Sequence, residues 1–551
     1  MAAAPLTALA RIARHYGRGL AARKLALLDA LARARLTSAD QVFRLHELLS
    51  FLAAYPDDRR IRARARRLLS RFGARADLRR HRARLAGSGI AGTDTPYRYF
   101  WPTAAWLARH WPGRLHLDRS DAEAADRLAA ALPLLLPPAQ ADWLRESGTT
   151  PWAAIDALRA PGVTDAGFVL GLIARMPGDD RTREHFGDGL DLSYTLDAGA
   201  DTPERSTAGF DTGAVVYQRR ALDNSRPDLR AELGRPPRAI RELRATPARR
   251  LIGLARTCMV TRERDLAAFQ FASPRDVFLV DDGDGLAFGL TGVEPARRTL
   301  LYSTWGALML RNGVPLGYVQ LDILGRHAAL SFNTFATFRG AGSARLFGRL
   351  LATVRHVFGC DEFSIEPYQL GVGNEEGIES GAWWFYYRLG FRPRATEARR
   401  LVARELGRIA VDRRYRSAPR TLRALARWHL FFAVDSQRRP RLPRTAHWLG
   451  RAAGSMRRFP SADPEQRAAA AVAEALQRLQ RPRGDRRLSP AERRVLQQWA
   501  PLVLSIPGLP RWPAADRRAL WSLILAKAAR SERDFQRRLL RHRRLRALLG
   551  F

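Results

Sequence analysis

A glycine loop and an aromatic helix end are the parts of this sequence whose residue types and spacing could do chemistry. The loop is Arg339-Gly340-Ala341-Gly342-Ser343-Ala344, and it follows an apolar stretch that ends at Phe338. Small residues let backbone N–H groups approach an oxygen-rich anion, and a helix that starts after the loop adds its positive end. The sequence therefore predicts a phosphate-binding turn between a strand and a helix.

The segment after the loop predicts an amphipathic helix that ends at Gly359. Its apolar residues recur at helical spacing and its arginines lie on other faces, the apolar set being Leu346, Phe347, Leu350, Leu351, Val354 and Val357. Such a helix packs firmly against a sheet. Glycine in a tight strand-to-helix turn also serves packing alone, so the loop by itself leaves both interpretations open.

A second helix covers Ala382-Trp383-Trp384-Phe385-Tyr386-Tyr387-Arg388-Leu389-Gly390-Phe391 and ends on glycine. It presents the Tyr386 hydroxyl near its last turn. The alternative is that Tyr386 only packs among Trp383, Trp384 and Phe385.

Taken in order, three antiparallel strands, the glycine loop, an amphipathic helix, a strand at 362–370 and this aromatic helix end resemble the GNAT-type N-acetyltransferase superfamily. The family's loop has Arg or Gln, two residues, Gly, one residue, then Gly or Ala, which Arg339, Gly342 and Ala344 match. Its Ala-x-x-Phe-Tyr-x-x-Leu-Gly-Phe helix ending is approached from Ala382 to Phe391. The agreement covers about 130 of the 551 residues.

The resemblance implies a GNAT-like acyltransferase that moves an acyl group from acetyl-CoA or another acyl-CoA to an amine acceptor. An acyl carrier protein thioester or an aminoacyl-tRNA is an alternative donor. The acyl carbonyl would bond a backbone N–H near Thr334, where the family's fourth strand bulges away from the fifth, and Tyr386 would protonate the departing thiolate. The donor-binding set is Thr334, Phe338, Arg339, Gly340, Ala341, Gly342, Ser343 and Ala344.

The sequence departs from the family where many members place Asn three residues before the helix alanine. Here that residue is Glu379, while Asn374 lies five residues earlier and is expected to cap a short turn. Six acids and no Lys or Arg occur between Asp361 and Ser380. Such acids attract an ammonium acceptor, and Glu366 is the candidate general base. The alternative is that these carboxylates complement a helix N-terminus or are solvated.

The strands that position these residues are predicted from turn chemistry. Asn312-Gly313 predicts a type I′ hairpin between strands at 300–310 and 314–324, and Asp281 to Gly285 predicts an earlier hairpin. Gly325-Arg326-His327 turns the chain into a third strand, which predicts an exposed His327.

The predicted fold class is α/β: a GNAT-like mixed, mainly antiparallel sheet with helices, flanked by all-α N- and C-terminal domains. The predicted domains are a basic helical N-terminal domain at 1–176, an irregular connector or insert at 177–235, the GNAT-like domain at 236–395 and an arginine-rich helical domain at 396–551.

The net charge of +39 lies almost wholly in the two ends, with +14 in residues 1–90, +1 in 91–400 and +24 in 401–551. A positive field favours polyanions such as nucleic acid, an anionic membrane surface or an acidic carrier protein. The second hypothesis is therefore a nucleic-acid or anionic-membrane binding protein with a catalytically inactive GNAT-like module. A solvated surface is the simplest alternative.

Several function classes are not supported by the sequence. Two cysteines exclude a disulfide framework, and the scattered histidines predict no metal site. No Gly-x-Ser-x-Gly elbow supports a serine hydrolase. The apolar runs are too short for a membrane helix and no secretory signal is recognisable, so we expect a cytoplasmic protein.

Overall fold

The computed structural model describes residues 3–480 and 487–550. From its start to residue 221 the described chain is mostly helical, with three short strands. The helices are α1 (Ala3–Ile12), α2 (Leu20–Arg33), α3 (Ala39–Ala54), α4 (Arg59–Ser70), α5 (Ala76–Arg80), α6 (Trp101–His110), α7 (Ala122–Leu135), α8 (Pro138–Ser147), α9 (Pro151–Leu158), α10 (Asp165–Arg175) and α11 (Asp180–Gly189). The strands are β1 (Thr95–Tyr97), β2 (Leu115–Leu117) and β3 (Tyr194–Leu196).

From residue 222 to the end of the glycine-loop helix the chain is rich in strands. Its elements are α12 (Leu229–Gly234), β4 (Ala239–Glu242), α13 (Ala245–Val260), α14 (Ala267–Gln270), β5 (Ala272–Gly283), β6 (Leu286–Val293), β7 (Ser303–Arg311), β8 (Val314–Leu324), β9 (His327–Thr334) and α15 (Ser343–Phe358).

The remaining elements are mostly helices. They are β10 (Glu362–Ile365), α16 (Pro367–Leu370), α17 (Glu375–Glu379), α18 (Ala382–Arg388), β11 (Arg392–Pro393), α19 (Thr396–Val411), α20 (Pro419–Ala426), β12 (Leu430–Ala433), α21 (Thr445–Ser455), α22 (Pro464–Arg478), α23 (Pro490–Ser505), α24 (Ala514–Ala526), α25 (Glu532–Arg541) and α26 (Arg543–Leu549). None of the described helices is both long and apolar enough to cross a bilayer.

The chain divides into two compact units. Unit 1 contains residues 1–221, 253–270 and 311–315, and unit 2 contains 222–252, 271–310 and 316–551. Two helical cores of Leu, Ala and aromatic side chains lie in unit 1. Its three strands form a small antiparallel sheet in the order β1-β3-β2. The N-terminal region is therefore not purely helical as predicted, and the expected connector at 177–235 contributes α11 and β3 to this unit up to residue 221.

Unit 2 is a mixed α/β structure built on a nine-stranded sheet in the order β11-β12-β10-β9-β8-β7-β6-β5-β4. The β4–β5, β5–β6, β8–β9, β10–β12 and β11–β12 pairs are antiparallel, and β9–β10 is parallel. Strand β12 comes from beyond residue 395, where the sequence analysis ended the domain. The prediction of a separate all-α C-terminal domain was therefore wrong, because a strand of that region lies inside the sheet.

The predicted hairpins are confirmed. Asn312 and Gly313 both have positive φ, 50° and 82°, as a type I′ turn between β7 and β8 requires. Asp284 and Gly285, at 49° and 73°, close the β5–β6 hairpin in the same way. These turns fix the register of the strands that lead to the glycine loop.

Helix α15 is fastened to the sheet by both packing and charge. Its apolar face is buried as predicted. The guanidinium of Arg349, which is 2% exposed, pairs with both carboxylate oxygens of Asp282 at 2.6 and 2.8 Å. It also donates to the Glu232 carbonyl at 2.8 Å. The buried ion pair fixes the start of α15 relative to β5 and to the segment around α12.

Candidate functional site

The site begins where two neighbouring strands separate. Strand β9 pairs with β10 through only three residues, from His327 to Ala329, although it continues to Thr334. On its other side β9 stays paired with β8 along its whole length. A gap therefore opens beside the second half of β9.

The ladder with β8 decides which backbone groups face this gap. Phe335 donates its N–H to the Leu316 carbonyl on the β8 side at 2.8 Å. Since successive residues of an antiparallel strand alternate in direction, the backbone N–H and C=O groups of Thr334 and Phe332 point toward the gap. Thr334 is 7% exposed, and its Oγ1 has no hydrogen-bond partner among the described residues.

The glycine loop follows directly and starts α15. Gly340 and Gly342 have positive φ of 74° and 72°, which glycine adopts without strain. The first intrahelical bond runs from Leu346 N–H to the Gly342 carbonyl, and α15 has no side-chain cap. The N–H groups of Gly340, Ser343 and Ala344 therefore have no partner within the described chain. All three residues line one cleft.

The other predicted loop residues are already engaged. Ala341 donates its N–H to the Phe338 carbonyl at 3.1 Å. Gly342 donates to Oδ1 of Asn224 at 2.9 Å. Arg339 donates to the Thr334 carbonyl at 3.2 Å and forms an ion pair with Glu376. Of the loop residues Arg339, Ala341 and Gly342, only Arg339 lines the cleft.

The cleft has a volume of about 1290 Å³ and lies wholly in unit 2. Besides the loop and the end of β9, its walls come from α17, α18 and the segment before α20. Tyr386 is 3% exposed and packs edge-on against Phe347, Phe385 and Phe391. Its hydroxyl has no hydrogen-bond partner in the described chain, and burial raises the pKa of the phenol. Tyr386 therefore keeps its proton at neutral pH.

Glu366, the predicted base, is not among the residues that line the cleft. It lies between β10 and α16, and desolvation together with the Asp322 charge raises the pKa of its carboxyl. Three acids of the same region do line the cleft. Glu375 pairs with Arg423 at 2.5 Å and Glu376 with Arg339, whereas Glu379 has no ion pair among the described residues. Glu379 is better placed than Glu366 to meet a ligand.

Sequence reasoning missed an arginine cluster on the same wall. Arg226, Arg388 and Arg416 line the cleft and none of them pairs with a carboxylate of the described chain. Desolvation, then the charges of Arg226 and Arg416, lower the pKa of Arg388, so the three cations lie close together. No sequence signal connects them, because they come from a loop, from α18 and from the segment before α20. Together they favour an anion in this part of the cleft.

Unit 1 also contains a hydrogen-bonded serine, histidine and glutamate that the sequence analysis did not connect. His46 Nε2 lies 2.9 Å from Ser206 Oγ, and His46 Nδ1 lies 3.1 Å from Glu47 Oε1. However, His46 is fully buried, Ser206 is 5% exposed, and Ser206 Oγ already accepts from Ala91 N–H. A substrate cannot reach this oxygen, so the arrangement stabilises the fold.

Within the described chain, no group of three or more His, Cys, Asp or Glu side chains could hold a metal ion. Comparison with protein family models, curated proteins and solved structures gave no match. The candidate site therefore stands on its own geometry: unpartnered amides at a helix start, a gap between strands, a buried phenol and a group of unpaired arginines around one cleft.

Proposed function

We propose that unit 2 is a GNAT-like acyltransferase that uses a coenzyme A thioester to acylate an amine. The observation that carries the proposal is that the two sequence motifs, the glycine loop and the Tyr386 helix, line one cleft at a gap between two strands. This is the relation that the resemblance to the GNAT superfamily implies. The cleft also exceeds the roughly 300–1,000 Å³ of common small-molecule pockets, which leaves room for a donor and an acceptor together.

The residues present fit a diphosphate-bearing donor. The N–H groups of Gly340, Ser343 and Ala344 are unsatisfied donors at the positive end of a 16-residue helix. Arg226 and Arg388 add bidentate donors for further phosphate oxygens, while Arg416, which donates to three backbone carbonyls, adds positive charge. A bound acyl-CoA would supply the acyl group as a thioester, which an amine can attack.

The chain's own groups would then divide the remaining tasks. The Thr334 and Phe332 N–H groups face the gap and would orient a carbonyl oxygen placed there. Tyr386 holds its proton at neutral pH and would donate it to a leaving thiolate. The Glu379 carboxylate would attract an ammonium acceptor and accept its proton, directly or through water.

A thermal-shift series on the full chain tests the proposal. Coenzyme A and acetyl-CoA should raise the melting temperature, because a ligand at 100 times its Kd stabilises the native state by about 2.7 kcal/mol. Gly342→Glu should abolish the shift, since a carboxylate next to the Ser343 and Ala344 amides would repel the diphosphate. The matched control is Gly373→Glu, which has a similar positive φ of 65° but does not adjoin the glycine-loop amides.

The two variants separate ligand loss from backbone strain. Both carry a cost of about 1–2 kcal/mol for an L-residue in the left-handed region, so both should melt earlier without ligand. Only Gly342→Glu should lose the response to coenzyme A. Absence of a shift with any thioester on the parent chain, or equal loss in both variants, would overturn the proposal.

A further inference from the structure

A second concave surface of unit 2 lies at the β11 edge of the sheet, away from the glycine loop. It has a volume of about 760 Å³ and is formed by α19, by β11 and β12, and by the segment after β12. One acid, Asp435, and seven arginines line it, the arginines being Arg230, Arg392, Arg394, Arg399, Arg438, Arg439 and Arg441. We call it the arginine groove.

Three of these arginines are engaged by the protein itself. Arg230 donates to the Val434 and Ala433 carbonyls at 3.1 and 3.4 Å. Arg392 donates to the Phe391 carbonyl at 2.8 Å and lies over the Tyr387 ring. Arg438 pairs with Glu362 at 3.2 Å and lies 3.7 Å from Asp435. These contacts within the protein account for the positions of the three side chains without any ligand.

The other four are not explained in this way. Arg394, Arg439 and Arg441 have no hydrogen bond or ion pair with any described residue, and Arg399 reaches only the Thr396 hydroxyl at 3.3 Å. Desolvation and the charges of Arg439 and Arg441 lower the pKa of Arg394, so these cations are close neighbours. Like charges gathered in a concave surface repel one another, and a multiply charged anion would relieve the repulsion.

The composition, charge and shape of the groove limit the kind of anion that it can bind. Its floor is apolar and is formed by Val402, Ala403, Leu406, Phe431 and Phe432, of which Leu406 is 39% exposed. Four guanidinium groups offer more charge than one phosphate or carboxylate neutralises, and each is suited to bidentate contact with phosphate oxygens. A groove of about 760 Å³ suits a compact chain of phosphates, whereas a nucleic-acid strand needs an extended track.

We propose that the arginine groove binds the di- or triphosphate group of a small phosphorylated ligand, with Arg394, Arg399, Arg439 and Arg441 as the phosphate contacts. The groove shares no lining residue with the candidate acyltransferase cleft. The proposal therefore does not depend on the function of that cleft.

Calorimetric titration of the full chain with tripolyphosphate, pyrophosphate, orthophosphate and ATP tests it. Tripolyphosphate and ATP should bind at least about tenfold more tightly than orthophosphate, because several guanidinium groups engage at once. The double variant Arg394→Gln with Arg441→Gln should weaken tripolyphosphate binding by about tenfold or more. The unpaired and exposed character of both side chains predicts an unchanged melting temperature without ligand.

The matched control is Arg494→Gln with Arg518→Gln, which removes the same charge from exposed arginines that have no ion pair in the described chain and lie outside both concave surfaces. It should leave binding within about twofold of the parent. Equal weakening in both double variants would show a general field effect and overturn the proposal. So would tighter binding of a 12-nucleotide RNA that the Arg394→Gln, Arg441→Gln variant loses, since that result assigns the surface to nucleic acid, and so would absence of saturable binding.

Discussion

The hydrogen bond between Asn224 and the glycine loop makes the sharpest prediction about the candidate cleft. Asn224 Oδ1 lies 2.9 Å from the Gly342 nitrogen, so an amide oxygen of the protein already occupies a place that a donor phosphate oxygen would take. Asn224 itself lines the cleft. Replacing Asn224 with alanine frees this N–H without changing charge, so a diphosphate-bearing ligand should bind more tightly.

The expected gain in affinity depends on the strength of the contacts that Asn224 and its neighbour Asp223 make. A typical exchangeable hydrogen bond contributes about 0.5–1.5 kcal/mol, which corresponds to about a two- to twelvefold gain in affinity. The neighbouring ion pair, Asp223 to Arg345 at 2.8 Å, is about half exposed on both sides and adds little resistance to displacement. The gain for Asn224→Ala should therefore stay within this range.

Calorimetry with coenzyme A on the full chain measures the change directly. Asn374→Ala is the control, because Asn374 also lines the cleft but accepts from Gly377 N–H at 3.3 Å and does not touch the glycine loop. An unchanged or lower affinity in Asn224→Ala, from a parent that binds coenzyme A, would refute placement of the diphosphate at the glycine loop. Equal gains in both variants would show that only the width of the cleft matters.

Three further predictions concern the residues around the sheet. Tyr386→Phe should lower turnover with little effect on the unfolding free energy, within about 1 kcal/mol, since the hydroxyl has no hydrogen bond to lose; a rate equal to the parent's would contradict its role as acid. Arg349→Met should cost about 3–5 kcal/mol in urea unfolding because Asp282 is left buried and unpaired, and adding Asp282→Leu should restore much of that loss. Burial lowers the pKa of His327 to about 4. The neutral imidazole therefore contributes fully to the free energy of unfolding above pH 6.5, and this contribution falls by up to about 3 kcal/mol as the pH drops toward 4. His327→Gln should flatten that part of the pH profile of unfolding.

Local turn and helix chemistry was readable from the sequence because it depends on neighbouring residues. Asn312-Gly313 forms its hairpin wherever the strands lie, since the turn needs only positive φ. The same holds for Gly342, which starts α15, and for Gly359, with φ of 77°, which ends it. The sequence therefore predicted the strand, loop and helix that carry the candidate amides.

Long-range contacts overrode local signals elsewhere. His327 was predicted to be exposed because the sequence places it in a turn, yet it is 1% exposed. The turn is covered by α25, whose Gln536 bonds Gly325, and His327 Nε2 lies 3.0 Å from Ser364 Oγ. The sequence around residue 327 cannot predict that a helix about two hundred residues further along the chain covers this turn. The inclusion of β12 in the sheet was missed for the same reason.

For locating a binding site in this protein, whether an arginine has a carboxylate partner is more informative than how many arginines there are. In a chain of net charge +39, the number of arginines identifies no site, because it counts solvated arginines and internally bonded arginines such as Arg349 alike. The unpaired cations are informative where they converge, as Arg388 does with its neighbours in the cleft and Arg394 in the arginine groove. Since guanidinium groups stay charged at any physiological pH, such gatherings attract an anion from outside. The two surfaces should therefore differ in ligand but share a loss of affinity as salt is added.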